Sequence, residues 1–250
     1  MKLPGGGIAR LAALVAHTLL GATIALIVPA GGLTDSRSGQ AVVCWWHATL
    51  LKILGLRLHV LGTPAPAPAL IVANHVSWID IAAIGAVTPG RFVAKAEIRD
   101  WPLIGWLAAR AGTLYIRRGD RRASAAVADQ ITQAFLRDQS VILFPEGTST
   151  DGRDVHPFHA RLLTPAIEAG CPVQPVALRY PGEDAGIHPA APFINDDTLL
   201  AHLWRLLRAR GEVHVELCFF AAEASAHMDA RDLAERTRAV IRHHITETVA

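Results

Sequence analysis

The spacing of apolar residues changes twice along the chain. Residues 11–28 are uncharged and interrupted only by His17, Thr18, Gly21 and Thr23. Extended to residues 8–30, the stretch takes in Arg10 and has 23 residues, about 35 Å as a helix. A bilayer hydrocarbon core is about 30 Å thick. A polar loop at 31–39 leads to a second apolar stretch, 41–58, carrying Trp45, Trp46, His47, Lys52 and Arg57. Aromatic and basic residues of this kind favour the membrane interface. A cleaved leader, a spanning helix and a hairpin of helices dipping into one leaflet all fit the first stretch. The second stretch, directly after a short loop, points to the hairpin.

Beyond the stiff linker Ala65-Pro66-Ala67-Pro68 the pattern alternates. Short β-type runs fall at 70–73, 91–94, 113–116, 141–144, 173–178 and 213–220. Helical spacing falls at 79–87, 99–111, 123–136, 160–169, 198–208 and 231–248. This order predicts an α/β fold, a largely parallel sheet flanked by helices, preceded by an N-terminal membrane-associated helical hairpin. It divides the chain into a membrane-associated segment, 1–60, and an α/β domain, 61–250.

Composition sharpens that reading. Of 250 residues 51% are hydrophobic and 18% charged, which excludes a disordered chain and a coiled coil. The mean hydropathy of +0.29 directs attention to membrane contact. The net charge of +2 is unevenly spread: residues 1–60 carry Lys2, Arg10, Arg37, Lys52 and Arg57 against Asp35 alone, a local +4. Cationic excess beside apolar segments suits anionic lipid. Nucleic-acid binding would need a basic patch on the domain itself, so no nucleic-acid partner is expected. Cys44, Cys171 and Cys218 are odd in number and far apart, which reads as buried thiols in a reducing compartment rather than a disulfide framework. His156 and His159 have Pro157 between them and no third ligand in view, so no metal site is expected.

In open α/β sheets, functional groups collect past the carboxyl ends of strands. Four successive predicted strand ends carry such groups: Asn74-His75, Lys95, Arg117-Arg118, and Glu146-Gly147-Thr148. In Asn74-His75-Val76-Ser77-Trp78-Ile79-Asp80, the His and Asp are five apart and would not share a face of one helix. They meet if His75 precedes the helix and Asp80 lies in its first turn. Ser77 fits as an N-cap, with Ser77-x-x-Asp80 as a capping box, and Asp80 also reads as a plain capping carboxylate. A loop His beside a carboxylate has one nitrogen fixed as donor and the other open as acceptor. No G-x-S-x-G elbow supplies a serine nucleophile. The substrate's own hydroxyl then becomes the nucleophile and His75 its general base. A hydrolase with a distant serine and a non-catalytic membrane scaffold are the rival functions.

These residues resemble the glycerolipid acyltransferase family, which contains the bacterial 1-acylglycerol-3-phosphate acyltransferases. The family's N-H-x-S-x-x-D motif matches Asn74 to Asp80 in full. Its second motif matches Gly112-Thr113-Leu114-Tyr115-Ile116-Arg117-Arg118, and its third, F-P-E-G-T-R-S, is Phe144-Pro145-Glu146-Gly147-Thr148-Ser149-Thr150. Pro172-Val173-Gln174-Pro175-Val176 is the fourth, and Trp101-Pro102-Leu103-Ile104-Gly105-Trp106 is also typical. The resemblance implies that His75 deprotonates the acceptor hydroxyl, that Asp80 orients His75, and that acyl-CoA or acyl-ACP is the donor, with no acyl-enzyme. It places Asn74, Ser77, Lys95, Arg117, Arg118, Glu146, Gly147, Thr148 and Ser149 around the acceptor. It implies no metal or organic cofactor, and a membrane location at the cytoplasmic face of a bacterial inner membrane. Ser149 departs from the usual arginine, and Arg117 stands where many relatives carry Asp. The expected acceptor is 1-acylglycerol-3-phosphate. Lyso-ornithine lipid, or another lysolipid without a phosphomonoester, is the alternative, since relatives acting on it look similar at Ser149 and at the following Asp151-Gly152.

Overall fold

Strand β2 (Leu70–Ala73) is the apolar run Leu-Ile-Val-Ala, and each of its residues is 0% exposed. Such a run belongs to a strand covered on both faces. In the computed structural model, which describes residues 5–28, 32–117, 121–183, 186–209 and 211–247, β2 lies at the middle of a seven-stranded sheet. The order is β1-β7-β6-β2-β5-β3-β4, with β1 (Leu56–Leu61), β3 (Arg91–Lys95), β4 (Leu114–Ile116), β5 (Val141–Leu143), β6 (Val173–Arg179) and β7 (Val213–Phe219). Among the pairings of these seven described strands, only β6–β7 is antiparallel. The expectation of a largely parallel sheet therefore holds, with β1 and β7 running against the other strands.

Helices cover both faces. Ile71 and Ala73 point into one core with Leu50, Leu51 and Leu54 of α3 (Arg37–Leu54), Ile79 and Ile84 of α4 (Ile79–Gly85), and Leu206 of α8 (Leu199–Leu207). Leu70 and Val72 point into the other with Val127 and Ile131 of α6 (Arg121–Phe135), Ala166 of α7 (Thr164–Ala169) and Leu233 of α9 (Ala230–Glu247). The period-2 alternation of a strand divides these residues between the layers.

The N-terminal pair, α1 (Gly5–Ile27) and α3, joined through α2 (Gly32–Asp35), forms an antiparallel hairpin. The His17 ring stacks on Trp46 at 4.7 Å, and the Arg10 guanidinium lies against Gly55. Gly21 makes room for the indole: a Cβ there would sit 2.7 Å from Trp46 Nε1. Residues 7–27 form a helix long and apolar enough to cross a membrane, with 17% of its most apolar window buried.

Four local expectations change, the first being the helix expected at 160–169, which opens as a 3₁₀ turn, Ala160–Leu162, before α7. The loop expected at 31–39 contains α2 and the start of α3, whose N-cap Ser36 accepts from the Gly39 amide at 3.1 Å. The apolar stretch 41–58 is not one element: α3 stops at Leu54, Gly55 takes the left-handed C-cap at φ +80°, and the chain continues as edge strand β1 across the expected boundary at residue 60. The helix expected at 99–111 is divided by Pro102 into a 3₁₀ turn, Ala96–Asp100, and α5 (Ile104–Arg110).

Candidate active site

The parallel strands bring their carboxyl ends to one side of the sheet. β2 ends before Asn74-His75, and its neighbour β5 ends before the Phe144–Gly147 turn. Lys95 closes β3, and Arg117 follows β4. At a strand spacing of about 4.8 Å, the ends of β3 and β4 lie roughly 10 and 14 Å across the sheet from that of β2.

His75 sits before α4 and Asp80 lies in its first turn, as the spacing predicted. His75 Nδ1 lies 2.8 Å from Asp80 Oδ2, with the Asp80 side chain 0% exposed and that of His75 21% exposed. Oδ2 also accepts the amides of Val76 at 2.7 Å and Ser77 at 2.9 Å. The carboxylate thus makes the return half of the expected capping box. The forward half differs: Ser77 Oγ accepts from the Ile79 amide at 3.4 Å, while the Asp80 amide donates to the Ser77 carbonyl. An ionised carboxylate only accepts, so Nδ1 carries the proton and Nε2 presents its lone pair. The Phe144 ring stacks on the imidazole at 4.2 Å and fixes its plane. An imidazole held this way can take a proton from a hydroxyl at Nε2.

Backbone contacts fix the loop around it. Glu146 is 5% exposed; Oε1 accepts from the His75 amide and Oε2 from the His156 amide, both at 2.7 Å. Burial pushes its carboxyl above the usual range, and the two amides partly offset this. Gly147, at φ +75°, turns the chain after Glu146 in a conformation that suits glycine. The Thr150 amide donates to the His75 carbonyl at 2.8 Å. Asn74 holds β6 with both ends of its amide: Nδ2 donates to the Leu178 carbonyl at 2.9 Å and Oδ1 accepts from the Leu178 amide at 2.8 Å.

The expected substrate-facing set therefore divides. Asn74 and Ser77 are both 0% exposed. Their polar atoms are turned to protein partners that hold the loop. Glu146 is likewise turned to two amides. Lys95, Arg117 and Thr148 are exposed on the strand-end side of the sheet, and Gly147 is half-buried. Ser149 Oγ donates to the Phe193 carbonyl. Arg118 lies outside the described residues. The Phe193 amide donates to the Val76 carbonyl at 2.9 Å, so the segment 187–197 is fastened beside His75. A buried polar chain supports that segment: Trp78 Nε1 donates to His202 Nδ1, and His202 Nε2 donates to the Ala191 carbonyl, each at 3.0 Å.

Sequence reasoning quoted Phe144 within a motif but gave it no role, and it missed the Phe193 segment and Tyr180, whose hydroxyl donates to Asp80 Oδ1 at 2.6 Å. Phe144 was visible as the aromatic closing a β-type run. Tyr180 and Phe193 reach the site only through contacts distant in sequence.

Known proteins resemble this chain in sequence and in fold. The Acyltransferase family matches residues 57–179. The lyso-ornithine lipid O-acyltransferase of Pseudomonas aeruginosa is 43% identical over 97% of this chain and 93% of its own length. The 1-acyl-sn-glycerol-3-phosphate acyltransferase of Neisseria gonorrhoeae is 36% identical over 84% of each chain. The crystal structure of the 1-acyl-sn-glycerophosphate (LPA) acyltransferase PlsC from Thermotoga maritima shares the fold, with a TM-score of 0.63 at 22% identity over 96% of this chain and 98% of that one. With the His–Asp motif intact at a strand end of that fold, the chain is an acyltransferase and belongs to the glycerolipid acyltransferase family.

Proposed function

We propose that the enzyme moves a fatty acyl group from acyl-ACP or acyl-CoA to the hydroxyl of lyso-ornithine lipid. His75 Nε2 takes the hydroxyl proton and the oxygen attacks the thioester carbonyl. A C–O bond forms, the C–S bond breaks, and the proton passes from His75 to the departing thiolate. Asp80 holds the imidazolium, and no acyl-enzyme forms. The thioester is already activated, so a positioned base and an oriented hydroxyl supply what the reaction needs. The α1–α3 hairpin seats the enzyme on the membrane, at the cytoplasmic face where acyl donors are available.

The observation that carries the choice of acceptor is Ser149. Where the resemblance puts a guanidinium for a phosphomonoester, this chain has a neutral hydroxyl already donated to the Phe193 carbonyl. A hydroxyl cannot replace the two parallel bonds of a guanidinium to phosphate. The likeness to the Pseudomonas enzyme over nearly the whole chain supports the same acceptor. The second reading, 1-acylglycerol-3-phosphate, is favoured by the exposed Lys95 and Arg117 at strand ends on the same side of the sheet. A competition assay with both acceptors and purified enzyme separates the two. Preference for lyso-ornithine lipid, with its KM moved less than about twofold by Arg117→Asp, is expected. Preference for 1-acylglycerol-3-phosphate, with its KM raised about tenfold or more by Arg117→Asp, would hand the assignment to the second reading.

A further inference from the structure

Asp80 receives four hydrogen bonds, and one comes from a residue in none of the motifs. Oδ2 takes His75 Nδ1, the Val76 amide and the Ser77 amide. Oδ1 takes the hydroxyl of Tyr180 at 2.6 Å, from a residue that follows β6 directly and is 0% exposed. The terminal torsion of an Asp side chain is soft, so donors and not rotamer preference decide which oxygen faces the imidazole. Three donors hold Oδ2 toward the His75 loop, and Tyr180 alone among the described residues holds Oδ1 from the opposite side.

We propose that Tyr180 is a positioning residue for acyl transfer: its hydroxyl locks the Asp80 carboxylate and, by drawing negative charge toward Oδ1, sets the proton affinity of His75 Nε2. This rests on the reading of His75 as general base. Burial, followed by the charge of Asp80, holds the phenol well above its usual range, so Tyr180 remains a donor throughout the working pH range. Among the described residues the ionisable group joined to this loop is Glu146, whose carboxylate accepts the backbone amides of His75 and His156, contacts that a change at Tyr180 leaves in place. A charge-assisted bond between a phenol and a carboxylate is among the stronger kinds available in a protein interior. Its loss concentrates charge on Oδ2, and an opposite charge nearby favours the imidazolium.

Tyr180→Phe removes one oxygen and keeps the ring. In this variant kcat is expected to fall about tenfold while KM for the lysolipid stays within about twofold, and the acid limb of the pH–rate profile is expected to move upward by roughly 0.5 unit or more. A tyrosine of purely structural importance would lower the melting temperature and leave the limb in place. A folded Tyr180→Phe enzyme with wild-type kcat and an unmoved limb overturns the proposal. Should that variant fail to fold, 3-fluorotyrosine at position 180 keeps the hydroxyl and makes it a stronger donor. The limb must then move downward, and an unmoved limb overturns the proposal equally. His75→Ala, assayed alongside, keeps the two claims apart. A dead His75→Ala enzyme with an indifferent Tyr180→Phe sinks only the role of Tyr180, whereas an active His75→Ala enzyme sinks the base assignment itself.

Discussion

Replacing His75 by alanine removes the partly exposed imidazole and leaves Asp80 with its two amides and the Tyr180 hydroxyl. The fold should tolerate this, because the carboxylate keeps three donors. Turnover should fall at least ~10²-fold, since a positioned base contributes on that order or more. A His75→Ala enzyme with more than about a tenth of wild-type rate would refute the base. Asp80→Asn behaves differently. An asparagine offers one acceptor oxygen where the protein supplies the amides of Val76 and Ser77, the Tyr180 hydroxyl and His75 Nδ1. The NH2 group can be met by Tyr180 only if its hydroxyl gives up its role as donor, and the remaining bonds lose the carboxylate charge, at a cost of about 1–3 kcal/mol. Asp80→Asn should therefore lose both activity and stability, and calorimetry beside the kinetics separates it from His75→Ala. A melting temperature equal to wild type in Asp80→Asn would contradict the four-donor arrangement.

At the scale of the elements, α3 shows what the sequence left readable and what it hid. Its apolar residues marked a helix, but they continue without a break into β1, so only the left-handed Gly55 divides the two. The β-type runs elsewhere were legible because turns and polar helices bracket them, and the His–Asp pair was legible because loop and first turn lie within six residues of each other. Tyr180 was not legible, since nothing local links it to Asp80, 100 positions away. Nor was His47 on α3. Its ring packs against Gly85 of α4, where a Cβ would meet it at 2.6 Å, and its buried Nδ1 has no hydrogen-bond partner among the described residues. Burial, with the nearby His17 adding to it, pulls this imidazole down to about 4. The folded-state value lies below the ordinary 6.5, so the stability contributed by neutral His47 is fully present above about pH 6.5 and lost as pH falls toward 4. His47→Leu removes an unpartnered nitrogen from an apolar contact. It should leave stability at pH 7 unchanged or higher and flatten the fall between pH 6.5 and 4. An unchanged slope of unfolding free energy against pH in that window would exclude His47 as its source.

At the scale of the whole molecule, the function proposed above has the α1–α3 hairpin bring the α/β sheet to its lipid acceptor, with α1 supplying the exposed apolar face. Deleting the hairpin would not test this cleanly, because Leu50, Leu51 and Leu54 of α3 and Leu56 of β1 belong to the main core. The outward face of α1 does offer a clean test. Val15 is 53% and Leu19 62% exposed, four residues apart on one face, with Ile8, Leu11 and Leu26 continuing the stripe. In the folded protein these side chains touch little, so Val15→Asp with Leu19→Asp should change the melting temperature by no more than a few degrees, as surface substitutions usually do. In a bilayer each Asp costs roughly 2.5–3.5 kcal/mol at the centre of a spanning helix and less at the interface, so the pair should weaken vesicle binding by about 100-fold or more. The local +4 of residues 1–60 adds a salt-dependent part, which anionic lipid should strengthen and 1 M salt should remove. Activity on acceptor dispersed in detergent should survive in the double variant while activity on acceptor embedded in vesicles is lost, which isolates delivery from chemistry. If the double variant still sediments with neutral vesicles at high salt, α1 is not what holds the enzyme on the membrane. The exposed Trp101 and Leu103 ahead of α5, with Ile104 at its first position, would then be the apolar surface to substitute next.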